Sequence, residues 1–257
     1  MKTMSIEELL TWAFTQELWK VGSGGGASVV PGSAWSMISD FAALGTLIDR
    51  TPNAFGVLPG FEEGEAHADA MTVGLAVKAL AAHEGYEIGE GWHPMKEFDD
   101  PHGLIAAEVE RVIAEHAVRS QRIKADHVVN MVISGSILGR RPDWAVEPPD
   151  FEMVSRGGKP CWFVSSQCVD VLGRSYSVET DGFDQRKQRP KPGAYRKFKL
   201  VEPLRSCLLA RLDWQLWQDA LETLHGSLSG RLANHALRPF YADRQPWMHA
   251  EFLVKIA

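Results

Sequence analysis

Residues 159–200 read KPCWFVSSQCVDVLGRSYSVETDGFDQRKQRPKPGAYRKFKL and hold the clearest strand pattern in the chain. Alternating side chains predict one strand from Cys161 to Val171 and a second from Tyr176 to Thr180, because neighbouring residues of a strand face opposite sides. The intervening Leu172-Gly173-Arg174 segment has the composition of a turn. This stretch therefore predicts an antiparallel hairpin.

A third strand is predicted over Phe151–Ser155, paired through a Gly157-Gly158 turn, which completes a small antiparallel β-meander. Most of the remaining chain has apolar residues at helical spacing together with capping signals. The predicted helices cover residues 5–20, 33–48, 68–82, 104–120, 124–138 and a long segment from Pro203 onward, along which a mostly leucine stripe recurs every four residues. The predicted fold class is α+β, with a helical N-terminal half, a small antiparallel β-meander and a long C-terminal helix.

Residues 143–149 have the composition of a linker. They divide the chain into a helical N-terminal region, 1–142, and a region 143–257 that holds the β-meander, a basic segment and the long helix. The two regions can also form one integrated domain. Residues 1–110 carry 5 Lys and Arg against 17 Asp and Glu, whereas residues 111–257 carry 22 against 16. This asymmetry fits separate faces for charged partners, or two halves that attract each other within the fold.

The densest positive charge lies in residues 185–199, which we call the basic arm and which contain no acidic residue. Pro190 and Pro192 exclude a helix there. Cations with interleaved aromatic rings suit a phosphate backbone with exposed bases, and Tyr195 is the ring expected to stack on a base. The candidate nucleic-acid-binding residues are Arg186, Lys187, Arg189, Lys191, Tyr195, Arg196, Lys197 and Lys199. Two other interpretations are a solvated loop whose charge protects a sheet edge and a surface for a protein partner.

Composition excludes several classes of protein. Hydrophobic residues make up 45% and charged residues 23% of the 257, which is typical of a globular protein. No apolar run approaches the roughly 20 residues of a membrane span, and the N-terminus does not resemble a signal peptide. The three cysteines form no CxxC pair, which favours a reducing compartment over a disulfide framework. A cytoplasmic protein without membrane contact is therefore expected.

One loop carries residues that metals prefer. His93, Asp99, Asp100 and His102 offer two imidazoles and two carboxylates, which zinc or manganese can use. Their spacing matches no known ligand pattern, so a solvated acidic loop without a metal is predicted and a metal site is the alternative. His67 and Asp69 lie near a helix start, where acidic groups favour the helix dipole. No arrangement of residues indicates an enzyme, and no cofactor is predicted.

Several phrases resemble those of an uncharacterised protein family of alphaproteobacteria and their phages and prophages. They are AHADAMTVG (66–74), EGWHP (90–94), VETDGFD (178–184), PGAYRK (192–197) and a C-terminal pattern that begins W-x2-AL-x2-L and ends at Pro246-Trp247. The resemblance implies a bacterial or phage cytoplasmic setting. It implies no activity, no catalytic residue and no cofactor.

These observations predict a phage-type or bacterial accessory protein that binds DNA or RNA through the basic arm and is not an enzyme. One alternative is a protein–protein interaction module that uses the acidic N-terminal half or the leucine-rich helix to meet a host or phage protein or to form a homodimer. A second alternative is a metal-dependent hydrolase that uses the loop of His93 and His102.

Overall fold

The structure is a computed structural model that describes residues 1–20, 55, 65–82, 88–119 and 125–249. The helix predicted at residues 33–48 lies outside these ranges. The chain divides into two compact units, the first made of Met1–Trp92, His116–Trp144 and Ala210–Ala257, and the second of His93–Glu115 and Ala145–Leu209. The chain leaves the first unit after Trp144 and enters the second at Ala145, and this point lies within the predicted linker at 143–149.

Five α-helices occur in the described ranges, and each was predicted from the sequence. They are α1 (Ile6–Trp12), α2 (Ala68–Ala79), α3 (Leu104–Arg119), α4 (Ala125–Leu138) and α5 (Arg205–Leu228). The predicted capping box begins α1: the Ser5 hydroxyl accepts a hydrogen bond from the Glu8 backbone N–H, and the Glu8 carboxylate accepts one from the Ser5 N–H. A π-helical turn at Ala13–Glu17 and a 3₁₀ turn at Leu18–Lys20 then extend this helix to its predicted end.

Ten short strands in the described part of the chain form two-stranded ladders. They are β1 (Lys2–Met4), β2 (Phe151–Met153), β3 (Ser155–Arg156), β4 (Lys159–Pro160), β5 (Phe163–Val169), β6 (Ser175–Asp181), β7 (Phe183–Asp184), β8 (Arg189–Pro190), β9 (Phe198–Leu200) and β10 (His235–Leu237). The predicted hairpin is confirmed, since β5 and β6 pair antiparallel along their whole lengths. The α+β class, the small antiparallel sheets and the long C-terminal helix are as expected.

Two pairings differ from the prediction. The strand β2 pairs antiparallel with β9 at the end of the basic arm, and the Gly157-Gly158 turn joins only β3 and β4. Both glycines have positive φ, 57° and 75°, which explains why the turn forms there. In addition, β1 and β10 form a parallel pair that the sequence analysis missed, because strands of three residues show no readable periodicity.

The leucine stripe of α5 is core. Its members are all at most 7% exposed and run Leu204, Leu208, Leu212, Leu216, Ala220, Leu224, Leu228 and Leu232. The stripe is therefore buried within the chain, and a homodimer, one alternative that the sequence leaves open, stays a hypothesis. No helix among the described residues is both long and apolar enough to cross a membrane.

The described residues after β10, 238–249, pack onto the protein. Trp247 is buried, and its ring lies 4.6 Å from the guanidinium carbon of Arg211, a residue of α5 that is only 2% exposed. Arg211 also donates from Nε to the Trp144 carbonyl at 3.2 Å. The Trp214 indole N–H donates to the Asp243 carbonyl at 2.8 Å. These polar contacts fix the segment against the buried side of α5 in the first unit.

Close packing between α4 and α5 leads to a prediction about two glycines. A Cβ added at Gly135 would lie 2.7 Å from the buried Trp217 ring and 2.9 Å from the Arg140 carbonyl oxygen. We expect Gly135→Ala to destabilise the fold by about 1–2 kcal/mol, because overpacking outweighs the gain in helix propensity. A Cβ at Gly226 meets no atom within 4 Å, so Gly226→Ala should stabilise by about 0.5–1 kcal/mol. Urea denaturation of both variants measures the difference, and equal effects would contradict the packing.

Candidate functional site

The basic arm forms an ordered hairpin. Gly182 turns the chain between β6 and β7 against the backbone of Phe163, where a Cβ would be 2.7 Å from the nearest backbone atom, so only glycine fits. The strands β7 and β8 then pair, and Lys191 N–H donates to the Gly182 carbonyl at 2.8 Å. The connection between β7 and β8 is thereby held at both ends.

The turn of this hairpin is fixed by its own side chains. One carboxylate oxygen of Asp184 accepts hydrogen bonds from the backbone N–H groups of Arg186 at 3.0 Å and Lys187 at 3.1 Å. Gln188 has a left-handed backbone with φ of 51°, and its side-chain amide donates to the Gln185 carbonyl. Arg186 and Lys187 in this turn and Arg189 at the start of β8 have exposed side chains. None of them forms an ion pair among the described residues, although Asp184 lies opposite Arg189 in the β7–β8 ladder. We call these three residues the basic turn.

The other lysines of the arm are held by neighbouring strands. Lys197 forms an ion pair with Glu179, and Lys199 forms one with Glu152 at 2.7 Å. The second pair follows from strand register, since Glu152 lies directly opposite Lys199 in the β2–β9 ladder. Lys191 donates from Nζ to the Asp181 carbonyl at 2.6 Å.

The aromatic rings of the arm also have protein partners. The Tyr195 hydroxyl donates to Glu179, and this hydrogen bond raises the pKa of the tyrosine. Hydrogen bonds from Lys197 and then Tyr195 hold the pKa of Glu179 below its usual value. Phe198 stacks on His102 with ring centroids 3.7 Å apart. The guanidinium of Arg196 lies 4.5 Å from the centre of the Trp162 ring.

The eight predicted residues thus separate into two groups. Residues 151–200 carry ten Lys and Arg against five Asp and Glu, which leaves the β region positive overall. Within it, five predicted residues bind acidic, aromatic or carbonyl groups of the sheet, whereas the basic turn faces solvent with its charge unpaired in the described structure. The candidate nucleic-acid interface therefore contains the three residues of the basic turn, against the eight residues that the sequence predicts.

The loop considered for metal binding does not bring the side chains of His93, Asp99, Asp100 and His102 together. Asp100 caps α3, since its carboxylate accepts from the backbone N–H groups of Leu104 at 2.8 Å and Ala106 at 2.9 Å. His102 stacks on Phe198, and the buried Nδ1 of His93 finds no hydrogen-bond partner among the described residues. Of the residues that the structure describes, a different set, His67, Asp69 and His235, provides the only three ligand-type groups close together, within 4.8 Å of one another. Neither His93 nor Asp99 belongs to it.

That second cluster is centred on Asp69, which is 2% exposed and lies in the first turn of α2. Its carboxylate accepts backbone N–H groups from three consecutive residues, Ala233 at 2.7 Å, Asn234 at 2.9 Å and His235 at 3.1 Å. It also accepts the Nδ1–H of His235 at 2.8 Å. Burial acts to raise the pKa of Asp69, but the hydrogen bonds from Ala233, His235 and Asn234 outweigh it and hold the pKa below its usual value. We call Asp69 and these four bonds the Asp69 latch.

His67 adds hydrogen bonds to the latch, and these bonds determine which of its ring nitrogens carries the proton. Its Nδ1 accepts the backbone N–H of Asp69 at 3.0 Å and caps α2. A neutral imidazole with Nδ1 as acceptor carries its proton on Nε2. The side-chain amide of Asn234 lies 3.0 Å from Nε2 and must therefore accept the Nε2–H. Only the amide oxygen can accept, so we assign the oxygen, and not the nitrogen, to the position that faces Nε2. Trp12 packs on the ring of His235 with centroids 4.4 Å apart.

The bonding of the latch does not suit a metal, although two imidazoles and a carboxylate are donors that zinc accepts. Four N–H donors already fill the lone pairs of Asp69, and Nδ1 of His67 is used by the helix cap. Backbone N–H groups converging on one point favour an anion over a cation. The latch therefore joins α2 to β10 and serves packing of the first unit.

The sequence contained only a partial signal for this cluster. His67 and Asp69 are adjacent to a helix start, which was interpreted through the helix dipole alone, and nothing near His235 indicated a partner. Comparison with known proteins gives no match, whether with family models, curated proteins or solved structures. The resemblance to phage-associated proteins thus stays a prediction.

Proposed function

We propose that this protein binds nucleic acid through the basic turn of Arg186, Lys187 and Arg189. The observation that supports the proposal is the presence of three exposed cations, unpaired among the described residues, on a hairpin turn whose backbone is fixed by Asp184. Cations that neutralise phosphates release condensed counterions, which drives association with a polyanion. Two of the three are arginines, whose planar guanidinium groups match phosphate oxygens in pairs.

Order in the turn favours binding. A disordered arm would lose conformational freedom when it engages a ligand, and that loss opposes affinity. Here the β7–β8 ladder and the Asp184 hydrogen bonds hold the turn before any ligand arrives. We place this activity in a non-enzymatic accessory protein of a bacterial or phage cytoplasm, a setting that rests on the resembling sequence phrases.

The first test removes the unpaired charges. For three phosphate contacts on duplex DNA, the logarithm of the binding constant should fall with the logarithm of salt concentration at a slope of about −2.7. Replacing Arg186, Lys187 and Arg189 with glutamine should remove most of this slope, because each other cation of the arm is held by an acidic, aromatic or carbonyl group of the protein. The melting temperature should not change, since these side chains are exposed. Fluorescence anisotropy at a series of salt concentrations measures the slope.

A matched control removes the same net charge from the same arm. Lys191→Gln, Lys197→Gln and Lys199→Gln together take away three lysines that the sheet already binds. We expect this variant to keep most of the wild-type slope. If it flattens the slope as much as the basic-turn variant does, then overall charge and not the turn governs binding, and the proposal fails.

A protein-interaction module is the alternative that one observation favours. The end of the β5–β6 hairpin exposes Val169, Val171, Leu172 and Tyr176, with Val171 fully open to solvent. Apolar groups clustered at an exposed hairpin end are typical of a contact with another protein. A partner captured from host lysate that remains after nuclease treatment would support this alternative over nucleic-acid binding.

A further inference from the structure

We infer that the ligand of the basic turn is double-stranded nucleic acid, contacted at its phosphates without stacking on bases. This inference rests on the proposed function and narrows its substrate class. It comes from the aromatic rings around the arm. Proteins that bind single strands combine a positive groove with rings on which bases stack. The availability of ring faces therefore distinguishes the two classes of ligand.

Tyr195 is the ring that the sequence offers for stacking, and the sheet holds it at both ends. Its backbone exchanges two hydrogen bonds of 2.8 Å with Phe163, and its hydroxyl donates to Glu179. Glu179 is in turn bound to Lys197. Turning this ring to stack on a base would break its hydrogen bond to Glu179.

The other rings near the arm have one face covered. Arg196 lies over Trp162, and the ammonium of Lys197 lies 5.3 Å from the centre of the Phe163 ring. Phe198 is stacked on His102 at an interplanar angle of 8°. Cations and aromatic groups of the protein thus take the positions that bases would take in a single-strand binder.

The difference in charge density between duplex and single-stranded nucleic acid also favours a duplex ligand. Each cation that contacts duplex DNA contributes a salt slope of about −0.9, against about −0.7 on a single strand. Three fixed cations without stacking therefore gain more from a duplex.

The experiment compares a short labelled duplex with each of its separated strands at low salt. The duplex should bind several-fold more tightly, with a slope steeper in the ratio 0.9 to 0.7. Tyr195→Ala should change either affinity by less than about twofold, whereas loss of a stacking ring weakens single-strand binding by about fivefold or more. Tyr195→Phe, which keeps the ring and removes the hydrogen bond to Glu179, controls for disturbance of the sheet.

The outcomes separate the two claims. Tighter binding of the single strand that Tyr195→Ala abolishes and Tyr195→Phe retains would overturn the duplex assignment and leave nucleic-acid binding intact. Absence of binding to either form at low salt would overturn the proposed function itself. Equal binding of duplex and poly-glutamate would show that the turn does not select phosphates.

Discussion

Asp69→Asn is expected to destabilise the protein by about 3–5 kcal/mol, because it places an amide where a buried carboxylate accepts four hydrogen bonds. Asparagine has nearly the same shape as aspartate, so packing is kept while the charge and one of the two acceptor oxygens are lost. Whichever way the amide turns, its N–H groups would face a backbone N–H group, either that of Ala233 or those of Asn234 and His235. Urea denaturation at neutral pH measures the change in the free energy of unfolding.

The same variant has a predicted pH signature. The pKa of Asp69 lies below its usual value in the folded protein, so the stabilisation it contributes is present above its unfolded pKa of about 3.9 and is lost as pH falls through the lower folded pKa. Wild-type stability should therefore decline more steeply than that of Asp69→Asn at pH values below about 4. Parallel acid profiles for the two proteins would contradict the latch.

Asp126→Asn is the matched control for the latch. Asp126 also lies in the first turn of a helix, α4, but its side chain is exposed. Only the interaction with the helix dipole is lost there, which is about 0.3–1 kcal/mol. A similar loss in the two variants would mean that Asp69 acts through the dipole alone.

Leu216→Ala should destabilise the protein by about 2–5 kcal/mol, since truncation of a buried leucine removes apolar contacts and leaves a cavity. Leu216 is 5% exposed and belongs to the stripe of α5. The denaturant concentration at the midpoint should fall, whereas the slope of the unfolding free energy against denaturant concentration should stay unchanged.

Leu75→Ala provides the control, because Leu75 is also helical but is 58% exposed. The same chemical change should there cost less than about 0.5 kcal/mol. If Leu216→Ala costs under about 1 kcal/mol, α5 is not at the centre of the core.

The helices and the central hairpin could be predicted because their signals are local. The Ser5–Glu8 capping box lies within one helical turn, and the stripe of α5 repeats every four residues. The β2–β9 pairing could not be predicted, since the alternation of Phe151–Ser155 shows that a strand exists but does not identify its neighbour. Which strand pairs with β2 depends on the register of the whole sheet, and the sequence of one strand does not determine that register.

The candidate site was predicted at the level of the arm but not of its individual cations. In the sequence, Lys197 and Lys199 look the same as Arg186 and Lys187. They differ only because Glu179 and Glu152 lie across the sheet from them. The Asp69 latch was missed for a related reason: its two parts, Asp69 and 233–235, are distant in sequence, and only the fold brings them together.

The parallel pairing of β1 with β10 has a consequence for the order in which the protein folds during synthesis. Lys2 is paired with His235, so β1 waits for a partner strand that is synthesised more than 200 residues later. At about 5–20 residues per second, that interval is roughly 10–50 s. During it the backbone N–H and C=O groups of β1 have no strand partner. An unpaired strand in a nascent chain is open to wrong pairing, against which chaperones protect, until β10 emerges.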